Sequence, residues 1–187
     1  AKKELGFENR KLVVSIGRIS RDNYCFDIVK IAKKIKERIP DILFVLAGGG
    51  EEKEAVEEMI KKEKLKNVFL LLDDQKRNLI AKFRAAADVN LCLMAGYSLI
   101  EAAASARPIV SYDVEWHYEI VKNNLTGALI KEGDFESAAS AIIDFINNEE
   151  KSKIFGENTR GLALERHSME KSSEIKVKYY KELLKEN

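Results

Sequence analysis

The sequence predicts an α/β domain, a doubly wound, Rossmann-like parallel sheet with extra C-terminal helices. Three observations predict it. Short apolar runs recur between Lys11 and Tyr112, segments with apolar residues at helical spacing alternate with them, and the intervals of about 10 to 20 residues suit crossover helices.

Lys11 to Gly17 (KLVVSIG) and Asp41 to Ala47 (DILFVLA) are short apolar runs ending at glycine, and both read as buried strands. Between them Ile28, Ile31, Ala32 and Ile35 fall at i, i+3, i+4 and i+7, the stripe of an amphipathic helix, which Pro40 stops. A helix around Val56, Met59 and Ile60 leads to a strand over Asn67 to Leu72. A helix over Leu79 to Ala86 leads to a strand over Asp88 to Leu93, and a helix over Ser98 to Ala106 leads to a strand over Pro108 to Tyr112. After Thr126-Gly127 the chain is expected to turn helical, with Phe135, Ala138, Ala139, Ile142, Ile143 and Ile146 on one stripe. Two further helices follow. Val177, Tyr180 and Leu184 give the last one a thin apolar stripe, expected to pack partly against something outside the domain.

The bulk properties narrow the function classes. A chain of 187 residues is expected to form one domain over 1–187. Its 32 Lys+Arg against 31 Asp+Glu leave a formal charge of +1, so no global field draws it to nucleic acid. Cys25 and Cys92 stand far apart, in no redox or metal spacing, which reads as free thiols in a reducing cytosol. The longest apolar run, Val68 to Leu72, falls far short of the about 20 residues a membrane helix needs. The chain opens at Ala1 without a methionine, and Lys2 to Leu5 resembles the end of a connector, so a fragment of a longer polypeptide is expected.

In open parallel sheets ligands bind beyond the carboxyl ends of the strands, where strand order reverses. Four such loops stand out: Gly17-Arg18-Ile19-Ser20-Arg21, Gly48-Gly49-Gly50, Leu72-Asp73-Asp74 and Met94-Ala95-Gly96-Tyr97-Ser98. The turn at Gly96, Tyr97, Ser98 and Leu99 opens a helix whose first amides lack intrahelical partners, a plausible diphosphate cradle. The alternative is that Ser98 and Glu101, at capping-box spacing, merely satisfy those helix-end amides. Arg18 could hold a phosphate bidentately, with Arg21 assisting; the alternative is a pair of solvated surface arginines. The glycine spacing is neither that of a nicotinamide site nor that of a Walker loop, His117 and His167 share no zinc-ligand spacing, and no nucleophile triad can be read.

Taken in order, seven segments resemble the C-terminal domain of the glycosyltransferase group 1 family, retaining enzymes of the GT-B architecture. They are Lys11–Arg18, Val45–Gly50, Asn67–Leu70, Ala85–Val89, Ser98–Ala103, Arg107–Asp113 and Asn124–Gly127. The resemblance implies that Arg18 holds the donor diphosphate and stabilises it as leaving group. It implies that Gly96, Tyr97 and Ser98 supply phosphate-binding amides, and that Glu101 accepts hydrogen bonds from the ribose hydroxyls. The wider donor site would comprise Gly17, Arg18, Arg21, Gly48, Gly49, Gly50, Leu72, Asp73, Gly96, Tyr97, Ser98, Leu99 and Glu101. Two positions depart from the family pattern: Leu93 stands where a donor-sugar glutamate is usual, and Asn23 where a lysine is usual. Tyr112 to Glu119 resembles a subgroup with a modified acidic motif. The implied substrate is a nucleoside diphosphate sugar donating a hexosyl group, with no cofactor and no metal. The implied partners are an N-terminal acceptor domain of the same polypeptide and a glycan or lipid-linked acceptor, in the cytoplasm or at the inner membrane face. Little turnover is expected of this domain alone. Two alternatives remain: a nucleotide-sugar epimerase on the same architecture, and a non-catalytic binding or scaffold module.

Overall fold

The computed structural model describes residues 1–184. Six strands form one all-parallel sheet: β1 (Lys11–Ile16), β2 (Ile42–Ala47), β3 (Phe69–Leu72), β4 (Val89–Cys92), β5 (Ile109–Tyr112) and β6 (Gly127–Ile130). Their order is β3-β2-β1-β4-β5-β6. The chain therefore winds outward from β1 to one edge, returns to the middle, and winds outward again through β4.

The helices between strands are α2 (Cys25–Lys36), α3 (Lys53–Lys62), α4 (Arg77–Ala86) and α5 (Gly96–Ala104), preceded by a single turn, α1 (Lys2–Leu5). Strand side chains alternate between faces, and the two faces bury separate cores. Val13, Phe44, Leu46, Val89 and Leu91 pack under Ile28, Ile31, Ile35 and Val56 of α2 and α3 and under Ile142 and Ile143 of α6 (Phe135–Asn147). Leu12, Val14, Leu43 and Val45 pack under Phe83 and Ala86 of α4. Cys92 and Ile109 meet Leu99, Ala102 and Ala103 of α5 on that second face. Each fully buried Leu, Ile or Phe stabilises the fold by about 1.5–3 kcal/mol, so the sheet is fixed from both sides.

Three expectations need correction. The segment after Thr126 is not helical at once: Gly127 to Ile130 pairs with β5 as a sixth strand. Its run of Gly, Ala, Leu and Ile is too short to carry a pattern, and parallel pairing to the sheet edge decides its conformation. α5 begins at Gly96 and ends at Ala104, two residues earlier at each end than the capping-box reading places it, because Ala106 takes a left-handed φ of 55°. The strands are also shorter than the apolar runs that announce them, since the flanking residues belong to turns.

Beyond α6, α7 (Glu149–His167) and α8 (Met169–Leu183) are capped by Asn148 and Ser168, whose side chains accept from the amides of Lys151 and Lys171. α8 buries nothing, and Val177, Tyr180 and Leu184 stand 50%, 66% and 77% exposed. Among the described residues, no helix is long and apolar enough to cross a membrane.

Candidate functional site

Strand order reverses between β1 and β4, which places a crevice at the carboxyl ends of these strands, and the singled-out residues are divided among separate hollows around it. Gly17, Arg18, Gly48, Gly49 and Gly50 line one hollow of about 720 Å³ together with Glu51, Asp74, Gln75 and Ile80. Arg18 itself is exposed. Asn23 does not offer a cation here; its side-chain amide donates to the Arg18 carbonyl at 2.8 Å and so fixes the backbone that carries the guanidinium.

The glycines of this hollow answer to packing. The Gly17 amide donates to the Ala47 carbonyl, and the Ile19 amide donates to the Gly49 carbonyl at 2.8 Å, so two loops lie backbone on backbone. A Cβ on Gly48 would stand 2.1 Å from the Gly17 oxygen, and one on Gly50 would stand 2.2 Å from the Ile19 oxygen. The Gly49 amide is taken by Asp74 Oδ1 at 3.1 Å.

A second hollow, about 600 Å³, adjoins the first through Ile16 and Ile80 and is lined by Glu101, Arg77, Arg84, Ser105 and Arg160. Arg84 is the residue sequence reading missed. Its side chain is 3% exposed; Nη2 donates to Ser98 Oγ at 2.5 Å and lies 3.6 Å from Glu101 Oε2, while Nε and Nη1 are shielded from solvent without a well-formed hydrogen bond. The available signal was an arginine among the apolar residues Phe83, Ala85 and Ala86. Ser98 Oγ donates in turn to the Ile16 carbonyl at 2.7 Å, tying the first turn of α5 to the end of β1. Ser98 is thus no N-cap: Ala95 holds that position, and no side chain caps the helix.

The first-turn amides of α5 are nevertheless favourably held. A Cβ on Gly96, at φ +35°, would meet nothing within 4 Å, so the turn is open to an approaching group. Its backbone is anchored from below. The Ala95 amide donates to His117 Nε2 at 3.4 Å, His117 Nδ1 lies 2.6 Å from Ser111 Oγ, and Ser111 Oγ donates to the Cys92 carbonyl. This chain sets a neutral imidazole with its proton on Nδ1, and burial lowers the His117 pKa from its ordinary value.

The structure does not bring every candidate into one hollow. Gly96 and Tyr97 face a third, about 410 Å³, with Ile100, Trp116, Glu119 and His167. Leu99 is buried in the core, and its amide already donates to the Ala95 carbonyl. Arg21 turns away from the crevice: its Nε bonds Glu52 at 2.5 Å and its guanidinium lies over the Phe26 ring. Asp73 is engaged by Lys53, and the Leu72 carbonyl accepts from the Gly48 amide, so Asp74 and Gln75 front the hollow in their place. Leu93, at the position of the expected carboxylate, is 2% exposed and sits in the larger core. Among the described residues no three His, Cys, Asp or Glu side chains converge as a metal site would require.

The domain is thus an all-parallel α/β sheet with a glycine-walled hollow beside its switch point. Residues 1–162 match the model of the family described as glycosyl transferases group 1, and the chain belongs to that family. Its fold is that of GT-B glycosyltransferases. The chain is 25% identical over 167 residues to a poly(ribitol-phosphate) alpha-N-acetylglucosaminyltransferase of Staphylococcus aureus, covering 88% of this chain and 34% of that protein. It is 28% identical over 144 residues to a 2-deoxystreptamine N-acetyl-D-glucosaminyltransferase of Niallia circulans, covering 75% and 37%. Among solved structures, sucrose-phosphate synthase from Thermosynechococcus elongatus superposes with a TM-score of 0.91 at 20% identity, over 100% of this chain and 49% of that one. A C-terminal domain of a glycosyl transferase group 1 family protein from Francisella tularensis superposes with a TM-score of 0.78 at 17% identity, over 89% and 91%. The chain thus spans about a third of the length of the curated relatives it matches.

Proposed function

We propose that this chain is the donor-binding domain of a retaining glycosyltransferase, which passes a hexosyl group from a nucleoside diphosphate sugar to a glycan or lipid-linked acceptor. The acceptor side would be contributed by an N-terminal domain of the same polypeptide. The observation that carries the reading is the switch point itself. There Arg18 leaves β1 on an Asn23-braced backbone, open helix amides leave β4, and Glu101 stands one helical turn further on. In this reading the diphosphate lies between Arg18 and the amides of Gly96, Tyr97 and Ser98. The ribose hydroxyls donate to Glu101, and the base enters the hollow beside Ile80. As the sugar departs, charge develops on the diphosphate, and a guanidinium with a helix N-terminus stabilises it in place. UDP in complexes of structural neighbours, such as Alr3699/HepE of Anabaena with UDP and glucose, makes UDP the first nucleotide to test.

Calorimetry with UDP, GDP and ADP tests the site. One of the three is expected to bind, with Arg18→Ala and Glu101→Ala each weakening it by about tenfold or more, the worth of a hydrogen bond to a charged group. Unchanged affinity in both variants would refute the assignment. The buried Leu93 favours a second reading, a module that binds without transfer. The full-length polypeptide separates the two: the first requires a glycoside whose anomeric configuration matches the donor, the second yields bound nucleotide and no product.

A further inference from the structure

We infer that Arg84 is a positioning residue for ribose recognition: a buried guanidinium on α4 that aims the Glu101 carboxylate of α5 without itself touching the nucleotide. The inference rests on the donor-site reading of Glu101. Glu101 is a long side chain, 62% exposed, and an unpaired glutamate of that kind samples many rotamers. Only one arrangement presents both oxygens to a pair of neighbouring hydroxyls. Arg84 supplies the restraint, since its Nη2 lies 3.6 Å from Glu101 Oε2 and is itself fixed by Ser98 Oγ, which is fixed by the Ile16 carbonyl. Three elements thus converge on one carboxylate.

Packing alone does not explain an arginine here. A buried cation loses its hydration, and a pair with a partly solvated carboxylate seldom repays that loss. Arg84 also keeps two nitrogens, Nε and Nη1, out of water without a well-formed hydrogen bond, the Cys92 thiol lying beside the guanidinium, where an apolar side chain would leave none. The guanidinium has one charged partner among the ion pairs of the described residues, Glu101. It lines the same hollow as Glu101 with its side chain almost wholly buried, which directs that charge to the carboxylate rather than to bulk solvent.

The test compares UDP with 2′-deoxy-UDP by calorimetry on this chain, because the missing hydroxyl reports on Glu101 and not on general integrity. Wild type is expected to prefer UDP by about tenfold, a charged hydrogen bond's worth, and Glu101→Gln to lower that preference to about twofold. Arg84→Met is expected to lower the preference equally while leaving 2′-deoxy-UDP affinity within about threefold of wild type, and the double variant to lose nothing more. A wild-type preference retained in Arg84→Met, with both affinities reduced together, overturns the inference and leaves Arg84 merely structural. Should Arg84→Met not fold, Arg84→Lys keeps the charge without the planar fork and is expected to show a preference of about threefold; a full tenfold preference there overturns the inference as well. Equal binding of the two nucleotides by wild type, or no binding of UDP, GDP or ADP, instead brings down the donor-site reading itself.

Discussion

The two loop systems flanking the crevice are held in opposite ways. After β1 and β2, backbone rests on backbone: Gly48 and Gly50 have no room for a Cβ, and carbonyls of one loop accept from amides of the other. After β4 the turn has open space, and groups from distant elements hold it: the His117 ring beneath Ala95, and the Arg84 guanidinium and the Ile16 carbonyl around Ser98. The first system is fixed by what is absent and the second by what is brought in. One side of the crevice is therefore sensitive to added volume and the other to lost hydrogen bonds.

The sharpest way to break this comparison is Gly48→Ala. The new methyl would sit 2.1 Å from the Gly17 oxygen, a backbone atom that cannot swing aside, and φ is +147° at this residue. A loss of at least about 3 kcal/mol is expected in denaturant melts, in the range of severe backbone and packing defects. A loss below about 1 kcal/mol would show that the two loops separate readily, and the contrast between the systems would vanish.

On the other side, His117→Ala removes the acceptor of the Ala95 amide and a buried ring. About 2–3 kcal/mol is expected, combining an orphaned amide with a cavity. The wild-type residue also predicts a pH dependence. Burial depresses the native His117 pKa below its ordinary 6.5, so between the two values the unfolded chain binds more protons than the native one. Its contribution to stability is complete above about pH 6.5 and is lost as pH falls through the native value. Melts at pH 8 and pH 5 are expected to differ more for wild type than for His117→Ala. An equal pH response in both chains would assign that slope to other groups.

This asymmetry also explains what the sequence revealed. The apolar runs of β1, β2 and β4 and the stripe on α2 make local patterns, and the triple glycine marks a loop where backbone must approach backbone, so the sheet and one wall of the crevice were legible. Arg84 was not. Its partners Ser98 and Glu101 lie on the next helix, and their register depends on how α4 and α5 pack over the sheet. The same holds for His117, whose partners Ala95 and Ser111 meet it only once β4 and β5 pair. Arg21 shows the converse case. Three residues after Arg18, it looked like a second phosphate ligand, yet a carboxylate on the loop after β2 claims it. β6 was missed because four residues at a sheet edge derive their conformation from pairing rather than from a pattern of their own.

Gly96→Ala gives the smallest effect and the finest test of the contrast. Gly96 also has a positive φ, but its Cβ direction is empty, so the only cost is that of holding an alanine at φ +35°, about 1 kcal/mol. The amides of residues 96 to 98 keep their anchors at Ala95 and Ser98, so UDP affinity is expected to fall by no more than about threefold, well short of losing a charged hydrogen bond. Equilibrium melts and titration of the same variant separate the two quantities. A destabilisation matching that of Gly48→Ala would mean that the β4 turn is also locked by close contact. Near-normal stability with UDP binding abolished would mean instead that the nucleotide approaches so closely at Gly96 that even a methyl group excludes it.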